Sequence, residues 1–251
     1  MQGPVRLPPT GPTGHLPRKG GGEQPEVVTS DDFAAQFLVS RETLGRLNLY
    51  ESLLRRWQPA VNLVAPATLD YIWHRHFADS AQLLALVPDS ARTLVDLGSG
   101  AGFPGLVLAI MLADKLPAGG AGNGLTRVIL VESDTRKAAF LREVARQTGV
   151  AVDILSTRIE NSETQSRIGV VDVVSARALA PLDRLLGLAS PLFGAETVGV
   201  FPKGREAQAE IEAARAAWSF DATLVSSVTD AHASIVVIRN LGGKVELRTE
   251  G

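Results

Sequence analysis

The residues best placed to do chemistry form one run, Asp96-Leu97-Gly98-Ser99-Gly100-Ala101-Gly102-Phe103-Pro104-Gly105. It joins an apolar strand over Thr93–Leu97 to a glycine turn and a helix start. Glycines let the backbone turn sharply and approach a ligand with no Cβ in the way, and Pro104 suits the first turn of a helix. Two phosphate motifs are excluded. The dinucleotide fingerprint needs Gly or Ala at its sixth position, where Phe103 stands here. A triphosphate loop needs Gly-Lys-Ser/Thr, which does not follow at the required spacing. What remains is a small nucleotide-like ligand.

Other polar residues fall at the ends of further strands. In an open parallel sheet a ligand sits beyond the carboxyl ends of the central strands. The second strand ends at Glu132, whose carboxylate either accepts two ribose hydroxyls or meets the helix dipole before Thr135. The third is followed by Arg158-Ile159-Glu160, the fourth runs into Ser175-Ala176-Arg177, and the fifth into Pro202-Lys203-Gly204. Arg177 is either a contact at the mouth or a structural arginine paired with an acid. Lys203 is either a solvated turn lysine or a contact to a phosphate or target base. These two are the candidate catalytic residues. The cluster Trp73-His74-Arg75-His76 combines rings and charge, so it either stacks on RNA or is an ordinary helix with a core Trp and surface His. Arg41, Arg46, Arg55 and Arg56 read either as a phosphate-binding face or as a solvated helix side.

The elements that must position these groups follow from hydrophobic periodicity. Residues 1–29, rich in Pro and Gly at the start, are expected to be a disordered tail. From Ser30, a possible helix cap, apolar residues at helical spacing (Phe33, Phe37, Leu38, Leu44, Leu47, Leu53, Leu54, Trp57) predict two amphipathic helices, and a third is expected over 68–86. Together they make a helical cap over 30–88. Beyond Pro88 the period changes to short β-branched runs alternating with helices, the sign of a parallel sheet covered on both faces. Strands are expected at Thr93–Leu97, 127–132, 151–155, 170–175 and 197–201, with helices over 104–113, Thr135–Thr148, 182–192 and 205–218. Two adjacent final strands, 222–228 and Ser234–Arg239, suggest an antiparallel pair at one edge. A glycine-rich insert spans 117–124 and a long loop 161–169. Residues 89–251 would then be one α/β domain.

Composition narrows the classes. The chain has 251 residues, 45% of them hydrophobic, enough for one substantial core. With 25 basic and 27 acidic residues the net charge is -2, so a nucleic-acid partner must be held by a local patch. The absence of cysteine removes disulfides, thiolate metal sites and Cys nucleophiles together. No metal is expected. No apolar run approaches the roughly 18 residues of a membrane span, and the start lacks a secretory apolar region, so a cytoplasmic protein without membrane contact is expected.

A strand ending in Asp, a Gly-x-Gly-x-Gly turn, a second strand ending in an acid and a closing strand pair resemble the class I S-adenosylmethionine-dependent methyltransferases, a Rossmann-like fold with a seven-stranded, mostly parallel sheet. Without cysteine, cytosine C5 methylation through a Cys adduct is closed. Exocyclic amine methylation usually shows Asn/Asp-Pro-Pro-aromatic after the fourth strand, where this chain has Ser175-Ala176-Arg177-Ala178-Leu179-Ala180-Pro181. A ring nitrogen such as guanine N7 has a free lone pair and suits a site without a base, where alignment and electrostatics suffice.

The glycine run, Glu132-Ser133-Asp134-Thr135-Arg136-Lys137-Ala138-Ala139-Phe140-Leu141, Ser175-Ala176-Arg177-Ala178, Pro202-Lys203-Gly204 and the upstream His76-Phe77-Ala78-Asp79-Ser80 resemble the RsmG (GidB) family in the same order. The resemblance implies methylation of a guanine N7 in bacterial 16S ribosomal RNA. It further implies that the pocket for S-adenosylmethionine is built at Asp96, Gly98, Gly100, Phe103 and Glu132, that Ile159 and Glu160 flank the adenine, and that Arg177 faces the cofactor. Lys203 and His76 would be the substrate-side candidates. The expected partner is small-subunit ribosomal RNA or a ribosomal particle, met by a monomer. Two other readings stay open: a small-molecule methyltransferase, which predicts a closed apolar pocket without a basic rim, and a non-catalytic ribosome-assembly or cofactor-sensing protein.

Overall fold

The computed structural model describes residues 26–113 and 127–243. Seven strands form one sheet in the order β3-β2-β1-β4-β5-β7-β6. They are β1 Thr93–Leu97, β2 Arg127–Val131, β3 Asp153–Leu155, β4 Val171–Ser175, β5 Phe193–Lys203, β6 Asp221–Ser226 and β7 Ser234–Arg239. The first five run parallel. β7 is antiparallel to both β5 and β6, which puts the expected antiparallel pair at one edge. From β1 the chain winds outward to β3 and returns to β4, so the strand order reverses between β1 and β4. That reversal opens a crevice at the carboxyl ends of the two strands, where Asp96 lies in register with Ser175.

Alternation along the strands divides the core between two faces. On one face Leu94, Leu130, Val173, Val200 and Val237 pack with α4 (Gly105–Ala113), α5 (Thr135–Thr148) and the N-terminal helices α1 (Ser30–Phe37) and α2 (Arg41–Val61). On the other, Val95, Ile129, Val174, Phe201 and Ile238 pack with α6 (Ser162–Ile168), α7 (Leu182–Ala189) and α8 (Ala207–Arg215). The cap and one sheet face therefore share a single buried cluster. No helix among the described residues is long and apolar enough to cross a membrane.

Several local expectations change. The packed chain starts before residue 30: Val27 is buried, and Thr29, not Ser30, caps α1 in a capping box with Asp32. Residues 1–25 and the 117–124 insert lie outside the described residues. The helix expected over 68–86 is broken into a 3-10 turn at Pro66–Thr68, a π-helix at Trp73–Ala78, one α turn (α3, Asp79–Ala81) and a 3-10 segment at Gln82–Leu86. The long loop at 161–169 folds into α6, because the Asn161 side chain accepts from the Glu163 and Thr164 N–H groups and caps it. α4 starts at Gly105 rather than Pro104, and Glu132 lies one residue beyond β2. β5 is longer than the 197–201 expected, because β4 pairs with it from Phe193 and its antiparallel partner β7 as far as Lys203. The helical run over 205–218 contracts to α8.

Candidate active site

The glycine turn is held from below and from one side. Gly98, Gly100 and Gly102 have φ of 66, 56 and 98°, a region open to glycine. Beneath the turn, fully buried Asp96 accepts from the Ser175 hydroxyl at 2.8 Å and the Gly105 N–H at 3.2 Å, tying β1, β4 and the start of α4 together. Burial pushes its carboxyl up to about 6. On the other side, the Tyr50 hydroxyl of α2 donates to the Ala101 carbonyl, and burial raises its pKa, which keeps it a donor. A Cβ on Gly100 would meet only the Gly98 carbonyl oxygen, at 3.8 Å, so this is the point of the turn that a ligand can approach.

Glu132 faces that point. One carboxylate oxygen accepts from the Gly100 N–H and the other from the Asp134 N–H, each at 2.7 Å. Among the described residues it has no basic partner. A buried carboxylate held only by backbone N–H groups keeps lone pairs for a diol. Gly100 and Glu132 thus fit the ribose of S-adenosylmethionine. The Ile159 side chain is buried, while Glu160 beside it is exposed.

Phe103 sits between this turn and the next wall. It is 4% exposed, stacks with Tyr50 and His76 at ring distances of 5.4 and 4.9 Å, meets Phe77 edge-on, and lies under the Arg177 guanidinium at 5.1 Å. The π-helix supplies this wall, and π-turns recur at functional sites because they redirect side chains. Trp73 is core: its ring stacks on Phe77 and its Nε1 donates to Glu51. That excludes Trp73 from stacking on RNA and leaves His76 buried rather than at the surface. His74 meets the Thr229 carbonyl at 2.8 Å, and Arg75 pairs with Asp230 at 3.4 Å, docking the β6–β7 turn.

Arg177 closes the wall from β4. Its guanidinium donates to the Arg75 carbonyl at 3.2 Å, Asp79 at 3.3 Å and His76 Nδ1 at 2.9 Å. Because arginine only donates, His76 Nδ1 must accept, which puts the imidazole proton on Nε2, 2.7 Å from the Thr68 hydroxyl. Burial first, then Arg177 and Arg75, push the His76 pKa down to about 3. Leu179, two residues on, is so close to Gly98 that a Cβ there would come within 2.6 Å of its Cδ1.

Between these walls and the β5 and β7 ends lies a cleft of about 660 Å³. Lys203 lines it with its ammonium turned inward, donating to the Ala180 carbonyl at 2.8 Å and to Glu210 at 2.7 Å. It is neither solvated nor wholly free for a phosphate. The cleft's cations are each matched: Arg75 with Asp230, Arg177 with Asp79, Lys203 with Glu210. Its one histidine has both ring nitrogens engaged. Among the described residues no group of three or more His, Asp or Glu is arranged to hold a metal.

Comparison with known families is decisive at this point: residues 43–241 match the model described as rRNA small subunit methyltransferase G. The chain belongs to that family. The methyltransferase G relative of Parvibaculum lavamentivorans is 52% identical over 219 residues, which cover 87% of this chain and 92% of the relative. That of Rhodospirillum centenum is 53% identical over 199 residues, 79% and 85% of the two chains. Solved structures agree on the fold: a SAH-bound methyltransferase from Podospora anserina (TM-score 0.54, 12% identity, 88% of this chain and 99% of that one) and one from Geobacter sulfurreducens (0.51, 13%, 87% and 99%). Both match the class I methyltransferase architecture.

In this methyltransferase G family member the structure adds residues to the expected set. The sequence marks Asp79 only within His76-Phe77-Ala78-Asp79-Ser80 and gives Thr68, Leu179, Glu210 and Asp230 no role of their own. A signal existed for Asp79, since His76 and Asp79 fall three apart and share a helical face. Asp230 acts on Arg75 across the fold, and Glu210 folds back from α8 on Lys203 seven residues before it at the end of β5, where neither a strand nor a helix period spans the pair. Along α2, Arg46 pairs with Glu42 and Arg55 with Glu51.

Proposed function

We propose that this chain methylates N7 of a guanine in 16S ribosomal RNA, using S-adenosylmethionine, by direct in-line transfer. The observation that carries the reading is the pairing of every titratable side chain lining the cleft. Such a wall offers no free base to remove a proton, and its three cations and three carboxylates sum to no formal charge. It suits a neutral acceptor that already has a lone pair and becomes cationic on reaction. Guanine N7 meets both conditions, whereas an exocyclic amine or an N1–H would need a base.

S-Adenosylmethionine supplies a methyl group made electrophilic by its sulfonium, so the protein's task is alignment. Gly98, Gly100 and Glu132 would hold it, with Ile159 and Glu160 beside its adenine. Phe103 acts from beneath, as the floor on which His76 and Arg177 stand. Leu179 excludes water over Gly98. Lys203 holds the Ala180 carbonyl and so sets the path of the 177–181 segment. The target nucleotide must leave any base stacking to enter the cleft. Methyl transfer from labelled cofactor to naked 16S rRNA, small subunits and whole ribosomes, followed by nucleoside identification, tests the reading. 7-Methylguanosine is expected, and label on N1 or an exocyclic nitrogen overturns it.

A further inference from the structure

We infer that His76 and Asp79 are positioning residues that hold Arg177 as a fixed, charge-compensated donor selecting guanine; the selection rests on the function proposed above, the holding does not. A guanidinium has five N–H groups. Two on Nη1 are spent on the Arg75 carbonyl and Asp79, and one on Nη2 on His76. The Nε–H and one Nη2–H remain, on a side chain 19% exposed that lines the cleft. On the edge of a purine that carries N7, guanine presents the O6 acceptor and adenine an amine donor. A donor fixed here donates to the first and opposes the second.

The hold is directional. Arg177 donates to His76, His76 to Thr68, and the Thr68 hydroxyl to the Ala65 carbonyl at 2.7 Å, so each hydrogen bond in the chain fixes the next. A protonated imidazole would set an N–H against the guanidinium and break it. Asp79 supplies the charge that a neutral imidazole cannot. Its other oxygen accepts from Gln82 at 3.0 Å and Thr229 at 2.9 Å, so it cannot swing away. With that carboxylate in place, Arg177 can donate near a purine that is becoming cationic without adding an unmatched positive charge.

The test combines turnover on small subunits with imidazole ¹⁵N NMR of the full chain. His76→Ala is expected to lower kcat about 10- to 100-fold, with cofactor KM unchanged. His76→Asn, whose amide oxygen can take the place of Nδ1, should recover about tenfold of that. In an Arg177→Ala background, His76→Ala should cost less than about twofold more, since both remove one unit. Asp79→Asn should lower kcat without weakening cofactor binding. Arg177→Ala should also narrow the preference for subunits carrying guanine over those with adenine at the target position. Multiplying losses, Asn no better than Ala, or an unchanged guanine preference overturns the inference. Should the His76 variants not fold, the wild-type spectrum decides: a proton on Nε2 from pH 8 to 5 is expected, and a proton on Nδ1 or titration near the ordinary value of about 6.5 overturns it. Wild-type transfer to another atom overturns the proposed function alone, while the spectrum still reports the hold.

Discussion

Asp96 is the residue where burial and charge oppose each other most directly. Its folded-state pKa of about 6 lies above the ordinary value of 3.8, so between those values the folded protein binds more protons than the unfolded chain. Its contribution to stability is therefore fullest below pH 4 and is lost as pH rises through 6. Asp96→Asn can keep both contacts, its carbonyl toward the Gly105 N–H and its amide toward the Ser175 oxygen. Relative to the wild type, this variant should gain about 1–3 kcal/mol on going from pH 4 to 7, measured by urea unfolding across that range. Glu132 carries the opposite expectation, because its cost falls on the ligand. Glu132→Ala should weaken S-adenosylmethionine binding by at least about tenfold, or about 1.4 kcal/mol, by calorimetry; an unchanged affinity would remove Glu132 from the pocket.

At the scale of elements, the glycine turn and the 177–181 segment behave as one unit. Gly98→Ala meets two penalties, a φ of 66° and a Cβ within 2.6 Å of Leu179. It should destabilise the protein by about 2–3 kcal/mol in denaturant titrations. Adding Leu179→Ala should return only the steric part, leaving about 1–2 kcal/mol of left-handed backbone cost. The sequence made this turn legible because glycine spacing and strand patterning are local. Each parallel strand, the closing strand pair and α5 were likewise visible as periodicity. What local pattern could not show was pairing across the fold. Lys203 reads from sequence either as a turn lysine or as a contact to phosphate or base, and only the folded chain brings Glu210 and the Ala180 carbonyl onto it. The helix over 68–86 had the right apolar positions, but its π-turn depends on contacts that His74, Arg75 and His76 make with distant segments. The 161–169 segment hides a helix because Asn161, its cap, is equally a loop residue in composition.

For the whole molecule, a net charge of -2 and a neutral cleft predict weak electrostatic gathering of RNA. Raising salt from about 50 to 200 mM should lower affinity for small subunits by less than about tenfold, well short of the 10³–10⁵ typical of six to ten phosphate contacts. A steep logarithmic slope in a filter-binding salt series would point instead to a strong basic patch. The shared core sets a different condition, one of timing. Phe33, Leu47 and Tyr50 leave the ribosome early, yet they pack in one cluster with Leu106, Phe140 and Leu141 of α4 and α5, which follow much later. The amphipathic N-terminal helices therefore have no complete surface to cover until α4 and α5, against which α2 packs, have been made. During translation this enzyme carries an open apolar face that its own later helices, α4 and α5, must seal.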